Sequence, residues 1–480
     1  MNSPLMTQTE VGRQAPSLMH RVRRIHLVGI GGAGMCGIAE VLLNLGFAVS
    51  GSDRQANAVT ERLTALGIEV SMGHDAEHIQ GADVVVVSGA IASDNPECVA
   101  AHEQRIPVVA RAEMLGELMR FRHGIAVAGS HGKTTTTSMI AAILAQAGQD
   151  PTFVVGGLIH AYGTNARLGQ GNYLVAEADE SDGSFLQLQP MMALVTNIDR
   201  DHLDAYQGSF DQLQSAFLSF LHHLPFYGVA VLGMDDPHVT QLIPNVARNV
   251  VTYGFNPKAD VRATDVEQDK LHMRFQLWLP DHDEPVPMKV ALPGRHAVQN
   301  ALGAAAVAWE LGVSAKDIQQ GLADFSGVGR RFDSIGEITL GQGQRVLAFE
   351  DYGHHPTELD AVIAAARGGW PDKRLVVVFQ PHRYTRTRDQ FDAFARVLTE
   401  PDVLVLADIY AAGETPIAGI DADALAQAIE ARGLEGVERI GSVDEAPECL
   451  DRICLDQDLV LVMGAGDVGR LGQTLRGLAA

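Results

Sequence analysis

Gly129-Ser130-His131-Gly132-Lys133-Thr134 sets two glycines, a lysine and a hydroxyl side by side. An apolar run at 124–128 precedes it and is short enough for one buried strand. In the run that follows, Met139, Ile140, Ile143 and Leu144 recur at helical spacing. Strand, glycine loop and helix start, in that order, aim backbone N–H groups at one point and suit a bound phosphate. Lys133 brings positive charge to the β- and γ-phosphates, and the Thr134 hydroxyl offers a ligand to Mg2+. Gly129, Ser130, His131, Gly132 and Thr135 complete this candidate ATP loop. It is shorter than the usual phosphate-binding pattern, whose first glycine would fall on Val127.

Two further stretches end in acid. Residues 173–180 read as a strand running into Glu177, Asp179 and Glu180, and residues 193–199 as another, followed by Arg200, Asp201 and His202. If both run parallel to 124–128, then Glu177, His202 and Thr134 share one sheet edge. Carboxylate, imidazole and hydroxyl there suit Mg2+ between nucleotide phosphates.

The elements that must position these groups repeat a strand–helix theme. Residues 24–28 are a predicted strand; Gly29-Ile30-Gly31-Gly32-Ala33-Gly34 then opens an apolar helix over 35–45, and a strand over 47–51 leads to Asp53. G-x-G-x-x-G with an acid about 20 positions on is the dinucleotide pattern, which alone fits a dehydrogenase. A dehydrogenase, however, leaves Lys133, Glu177 and His202 without a purpose. Predicted strands over 68–71, 83–87 and 107–110 place Ser88 at the carboxyl edge of an open sheet, where ligands bind. His74 falls in a loop and, from spacing alone, reads as a solvated histidine.

Alternation over 261–292, with a turn at 280–285, predicts a small antiparallel insertion. Gly294, Arg295 and His296 lead to Asn300 and a small-residue helix over 301–310, where a lone His or Asn is ordinarily a cap. Arg330 and Arg331 mark a boundary. Beyond it, strands near 346–350, 375–379, 403–407 and 459–463 predict another α/β unit. Three of them end in polar clusters, which hold Asp351, His354 and His355, then Gln380, Arg383 and Arg386, then Asp408 and Tyr410. The fourth meets a second G-x-G-x-x-G at 464–469, read as a tight strand–helix turn because no acidic partner follows it.

A chain of 480 residues is too long for one ordinary core, and three domains of ~150 residues are expected. A net charge of −23 argues against sequence-independent nucleic-acid or membrane binding, which need a basic face. Cys36, Cys98, Cys449 and Cys454 form no CxxC pair and read as reduced cytosolic thiols. No apolar run reaches the ~18 residues of a membrane span. Residues 1–21 lack an apolar signal core and are predicted to be a disordered tail.

From about residue 22 onward these motifs together resemble the Mur ligases. The signatures are residues 29–35, Gly132-Lys133-Thr134, Glu177-Ala178-Asp179-Glu180-Ser181-Asp182, Asn197 to His202, Arg330-Arg331-Phe332, Asp351 to Pro356 and Gln380 to Arg386. The resemblance implies an α/β chain of three domains. These are a Rossmann-like UDP-sugar-binding domain over 22–121, a central phosphate-loop ATPase-type domain with the antiparallel insertion over 122–326, and a C-terminal Rossmann-like domain over 327–480. The last would carry the amino-acid side and close over the site.

The resemblance also implies an ATP- and Mg2+-dependent ligase of the bacterial cytoplasm, acting in peptidoglycan precursor synthesis. Such an enzyme joins L-alanine to the lactyl carboxylate of UDP-N-acetylmuramate through an acyl phosphate. The alternative is a sister activity that attaches a recycled tripeptide to the same UDP-sugar. No nucleic acid and no membrane insertion are expected, and the chain would be a monomer or weak homodimer.

Residue by residue, Lys133 would contact the ATP phosphates, with Thr134 and Glu177 on one Mg2+ and His202 on a second. Arg331 would reach phosphate, Asn300 the adenine, and Asp351 a ribose or an orienting contact. Gly31, Gly32, Asp53, His74 and Ser88 match UDP-sugar positions. His354, Arg383 and Arg386 match the amino-acid side, and Lys133, Glu177, His202, Arg331 and His354 the catalytic set. One departure stands out: where relatives carry asparagine after Gly294-Arg295-His296, this chain has Ala297. Lesser ones are Ser130 and Cys36, where Thr and Ser are common.

Overall fold

The computed structural model describes residues 19–478, so residues 1–18 of the expected tail lie outside it. Its strands fall into three sheets of a three-domain α/β chain. The first holds β1 (Arg24–Val28), β2 (Ala48–Asp53), β3 (Glu69–Met72), β4 (Val84–Val87) and β5 (Val108–Ala110) in the order β3-β2-β1-β4-β5, all parallel. Four of the five residues of β1 are buried, because helices cover both faces of a parallel sheet. The strand order reverses between β1 and β4, and the glycine loop leaves β1 at that switch point, where such sheets bind ligands.

The second sheet is built on β6 (His123–Ala128), β7 (Thr152–Ile159), β8 (Thr164–Arg167), β9 (Tyr173–Glu177), β10 (Met192–Val195), β11 (Val229–Gly233) and β12 (Asn249–Gly254). Strand β6 lies between β10 and β9 and runs parallel to both, with Val127 beside Glu177 and Ala128 beside Val195. The expected common edge for Thr134, Glu177 and the residues after β10 therefore exists. Phe185, Phe217 and Phe220 pack at ring separations of 5.2 and 5.0 Å and are fully buried.

The alternating stretch folds as β13 (Val261–Asp269), β14 (His272–Trp278) and β15 (Val286–Val290), an antiparallel meander as expected. The third sheet orders β16 (Asp333–Thr339), β17 (Arg345–Asp351), β18 (Leu375–Phe379), β19 (Val403–Ala407), β20 (Glu438–Ile440) and β21 (Leu459–Met463) as β16-β17-β21-β18-β19-β20. Only β16 is antiparallel to its neighbour. Its bulge between Ser334 and Gly336 breaks the two-residue period, which hides it from a pattern search. The small-residue helix begins at Arg295, not 301, so His296 and Asn300 lie inside its first turns.

Contacts group the chain into two compact units. One comprises residues up to Leu158, Tyr162–Asp260 and Gly303–Gly321; the other comprises Ile159–Ala161, Val261–Leu302 and the chain from Leu322 onward. Among the described residues no helix is long and apolar enough to cross a membrane.

Candidate active site

In the first unit, Gly132 precedes the helix Lys133–Gln146 in a left-handed conformation (φ 83°, ψ −2°), and no side chain caps that helix. Its first-turn N–H groups are therefore available to an anion. The end of β10 holds the loop in shape. Ser130 N donates to Asn197 O (3.0 Å) and His131 N to Asn197 Oδ1 (2.9 Å), while Thr196 Oγ1 donates to His131 O (2.7 Å). Asp199 N donates to Ser130 Oγ (2.8 Å), and His131 Nε2 lies 3.0 Å from Asp199 Oδ2.

Gly129 has φ +128°, and a Cβ there would fall 2.0 Å from Thr196 Oγ1. Gly129→Ala is therefore expected to cost ~2 kcal/mol or more of stability and to weaken ATP binding. Thermal unfolding and calorimetric titration check this; unchanged values of both would contradict the loop assignment.

Lys133 Nζ sits 2.8 Å from both Glu180 oxygens and 2.6 Å from Gly129 O. Burial works to lower its pKa, but the carboxylates of Glu180, Asp179 and Glu177 outweigh this and raise it, which keeps the ammonium charged. Glu180 is 1% exposed. Burial pushes its carboxyl up to about 7 against the pull of Lys133. Thr134 is buried in the first turn of the same helix. Glu177 ends β9 half-buried, its Oε1 accepting from Gly156 N at 2.8 Å. His202, in a left-handed conformation, stands with Nε2 3.4 Å from Asp201 Oδ2. Hydroxyl and carboxylate oxygens are donors that Mg2+ accepts, so this edge fits the ion by its chemistry.

At the β1 switch point, Gly31 N donates to Asp53 Oδ2 at 2.8 Å, so Asp53 shapes the glycine loop itself. Gly32 is exposed beside it, and Ser88 follows β4 half-buried. His74 departs from the solvated histidine that spacing suggests. Its side chain is 14% exposed, and its Nδ1 lies 2.9 Å from the buried carboxylate of Glu97. Arg111 stands between the two regions, next to Gly34 of the glycine loop and 3.9 Å from Asp179 Oδ2.

The remaining candidates lie in the second unit. Arg331 is flanked by Arg330 (φ 59°) and Phe332 (φ 47°), backbone conformations that non-glycine residues rarely hold. Asp351 secures this linker by accepting from Phe332 N (2.7 Å) and Gly353 N (2.6 Å), and burial pushes its carboxyl up to about 6. Arg331 lies over the Tyr352 ring and 3.9 Å from Glu358. Burial, and then Arg331, pushes His296 down to about 4. Asn300 and Ala297 are both buried. His354 meets His382 edge-on at 5.9 Å, and His382 stacks on Tyr410 at 5.4 Å. Arg386 is buried with Nη1 3.4 Å from His382 Nδ1, whereas Arg383 is exposed at the helix start, its N–H donating to Tyr410 O. His354, Arg386 and the Arg383 backbone thus converge around His382 and Tyr410.

Family models match the chain in three consecutive stretches: "Mur ligase family, catalytic domain" over residues 24–123, "Mur ligase middle domain" over 127–308 and "Mur ligase, glutamate ligase domain" over 330–466. The UDP-N-acetylmuramate–L-alanine ligase of Xylella fastidiosa (strain M23) is 57% identical over 458 residues, 95% of this chain and 96% of that protein. Its namesake from Xanthomonas campestris pv. campestris (strain B100) is 58% identical over the same shares. The chain belongs to the Mur ligase family. Among solved structures, the UDP-N-acetylmuramate-alanine ligase of Thermotoga maritima has a TM-score of 0.78 at 27% identity, with 94% of this chain and 98% of that one covered.

Two residues that stand at these sheet edges escape a reading of the sequence. Glu180 belongs to the acidic motif, but nothing in that run says which carboxylate turns back to the lysine. Arg111 opens a helix directly after β5. Its place at the carboxyl edge of a parallel strand is the signal that could have found it.

Proposed function

We propose that this Mur ligase joins L-alanine to the lactyl carboxylate of UDP-N-acetylmuramate, with ATP as the activating substrate. The observation that carries the reading is the intact ATP loop, with Lys133 held charged beneath an uncapped helix start, in a chain 57% identical to an L-alanine ligase along 95% of its length. A carboxylate is a poor electrophile because oxide is a poor leaving group, and phosphorylation supplies a good one. The loop N–H groups and Lys133 take the ATP phosphates, with Lys133 exchanging its Glu180 and Gly129 contacts for phosphate oxygens. Thr134 and Glu177 would hold one Mg2+ and His202 a second, and the ions would supply positive charge against the nucleotide phosphates.

Gly31, Gly32, Asp53, His74 and Ser88 form the UDP-sugar side. Arg331, positioned by Asp351, supplies a further cation to phosphate, and Asn300 meets the adenine. His354, Arg383 and Arg386 form the amino-acid side, where a guanidinium pairs with the alanine carboxylate. We assign the domains as 22–121, 122–326 and 327–480, and the enzyme to the bacterial cytoplasm as a monomer or weak homodimer.

The test supplies UDP-N-acetylmuramate, ATP and Mg2+ with L-alanine, glycine, L-serine or tripeptide, and weighs the products. L-Alanine is expected to give the dominant adduct. A product with tripeptide alone would transfer the chain to the sister activity.

A further inference from the structure

Glu97 is the second residue of the helix Pro96–Glu103, and its side chain is wholly buried in the N-terminal domain. Three other segments send polar groups to this one carboxylate. Ser52 Oγ, on β2, donates to Oε2 at 2.8 Å; His74 Nδ1 lies 2.9 Å from Oε2, and His78 Nδ1 3.0 Å from Oε1. His26 Nε2, on β1, stands 3.4 Å from Oε1. Burial alone would push the Glu97 carboxyl up. The contacts from His26, Ser52 and His74 outweigh it and hold the group at about 2.

The same residues shape the ligand edge of the sheet. Ser52 O accepts from Gly29 N (2.8 Å) and Ile30 N (2.9 Å) of the glycine loop, and Asp53 O accepts from Gly73 N (2.8 Å), next to His74. A buried ion with this many partners far exceeds what a helix start requires, since Asn95 already caps that helix. An ionised carboxylate can only accept hydrogen bonds, so the His74 nitrogen facing it carries the proton. In the neutral form of that ring, Nε2 then keeps its lone pair.

We propose that Glu97 is a positioning residue for the UDP-sugar: it fixes the His74 ring with its proton on Nδ1, so that Nε2 accepts a hydrogen bond from a donor on the uridine part of the ligand. This rests on the reading of His74 as part of the UDP-sugar site. Glu97→Gln puts an amide N–H2 where one oxygen stood, against His74 or His78, and removes the charge that orders both rings.

The experiment titrates UDP-N-acetylmuramate into the full chain, held with Mg2+ and a non-hydrolysable ATP analogue, for wild type, Glu97→Gln, His74→Ala and the double variant. Glu97→Gln is expected to weaken UDP-sugar binding at least ~10-fold and leave the analogue's affinity unchanged. In the His74→Ala background it should add nothing. An equal loss in both backgrounds, or an equal loss toward the ATP analogue, would overturn the proposal and leave Glu97 a purely structural group. Nitrogen NMR of the wild-type histidine rings tests it without any variant: His74 should carry its single proton on Nδ1, and a proton on Nε2, alone or together with one on Nδ1, would overturn it. Failure of the wild type to bind the UDP-sugar at all would instead refute the proposed function.

Discussion

Lys133→Ala is expected to lower ATP turnover by at least ~100-fold while the chain stays folded. Lys133 is the cation at the start of the phosphate-loop helix, and in the free protein it is held by Glu180 and the loop carbonyls instead of by solvent. A phosphate reaching the loop meets a charge already placed, so little reorganisation opposes the transfer. The fold tolerates the loss because Glu180, already pushed up to about 7, can take a proton when its partner goes. Glu177→Ala is expected to have an effect of the same size, through the metal instead of the phosphates. Phosphate release measured beside calorimetric unfolding checks both variants. Near-normal release by a folded Lys133→Ala chain would show the central site to be misassigned.

Arg383→Ala is expected to raise the KM for L-alanine by ~10-fold or more and to leave the KM for ATP within about twofold. Arg386 is buried beside His382, whereas Arg383 is exposed with its backbone pinned by Tyr410 O at 2.8 Å. An exposed guanidinium near Glu414, fixed at its root, can turn to a small carboxylate without moving the helix. The variant should still form the acyl phosphate, which hydroxylamine traps when L-alanine is left out. Equal weakening toward ATP and L-alanine would remove Arg383 from the amino-acid side.

The phosphate loop was legible in the sequence because its chemistry is local: strand, glycines, lysine and helix start follow one another with no long-range contact needed. The common edge of Thr134 and Glu177 needs one long-range condition more, that β6 and β9 pair in parallel, and they do. Groups defined by partners far along the chain were not. Glu97 looks like an ordinary acid in a helix's first turn, and nothing near it announces that His26, 71 residues earlier, and His74, 23 residues earlier, face it. Spacing alone makes His74 look solvated for the same reason, although its side chain is 14% exposed. Strand β20 is three residues long, too short to leave a period, and β16 is disguised by its bulge.

The most direct test of the central claim follows an oxygen atom. UDP-N-acetylmuramate labelled with oxygen-18 in its lactyl carboxylate is turned over with ATP, Mg2+ and L-alanine, and the released phosphate is analysed by mass. If the carboxylate attacks the γ-phosphorus and the amine then expels phosphate, the bridging oxygen leaves with it, and each phosphate released from doubly labelled substrate should carry one oxygen-18. Phosphate free of label, formed together with the L-alanyl product, would contradict the acyl phosphate route.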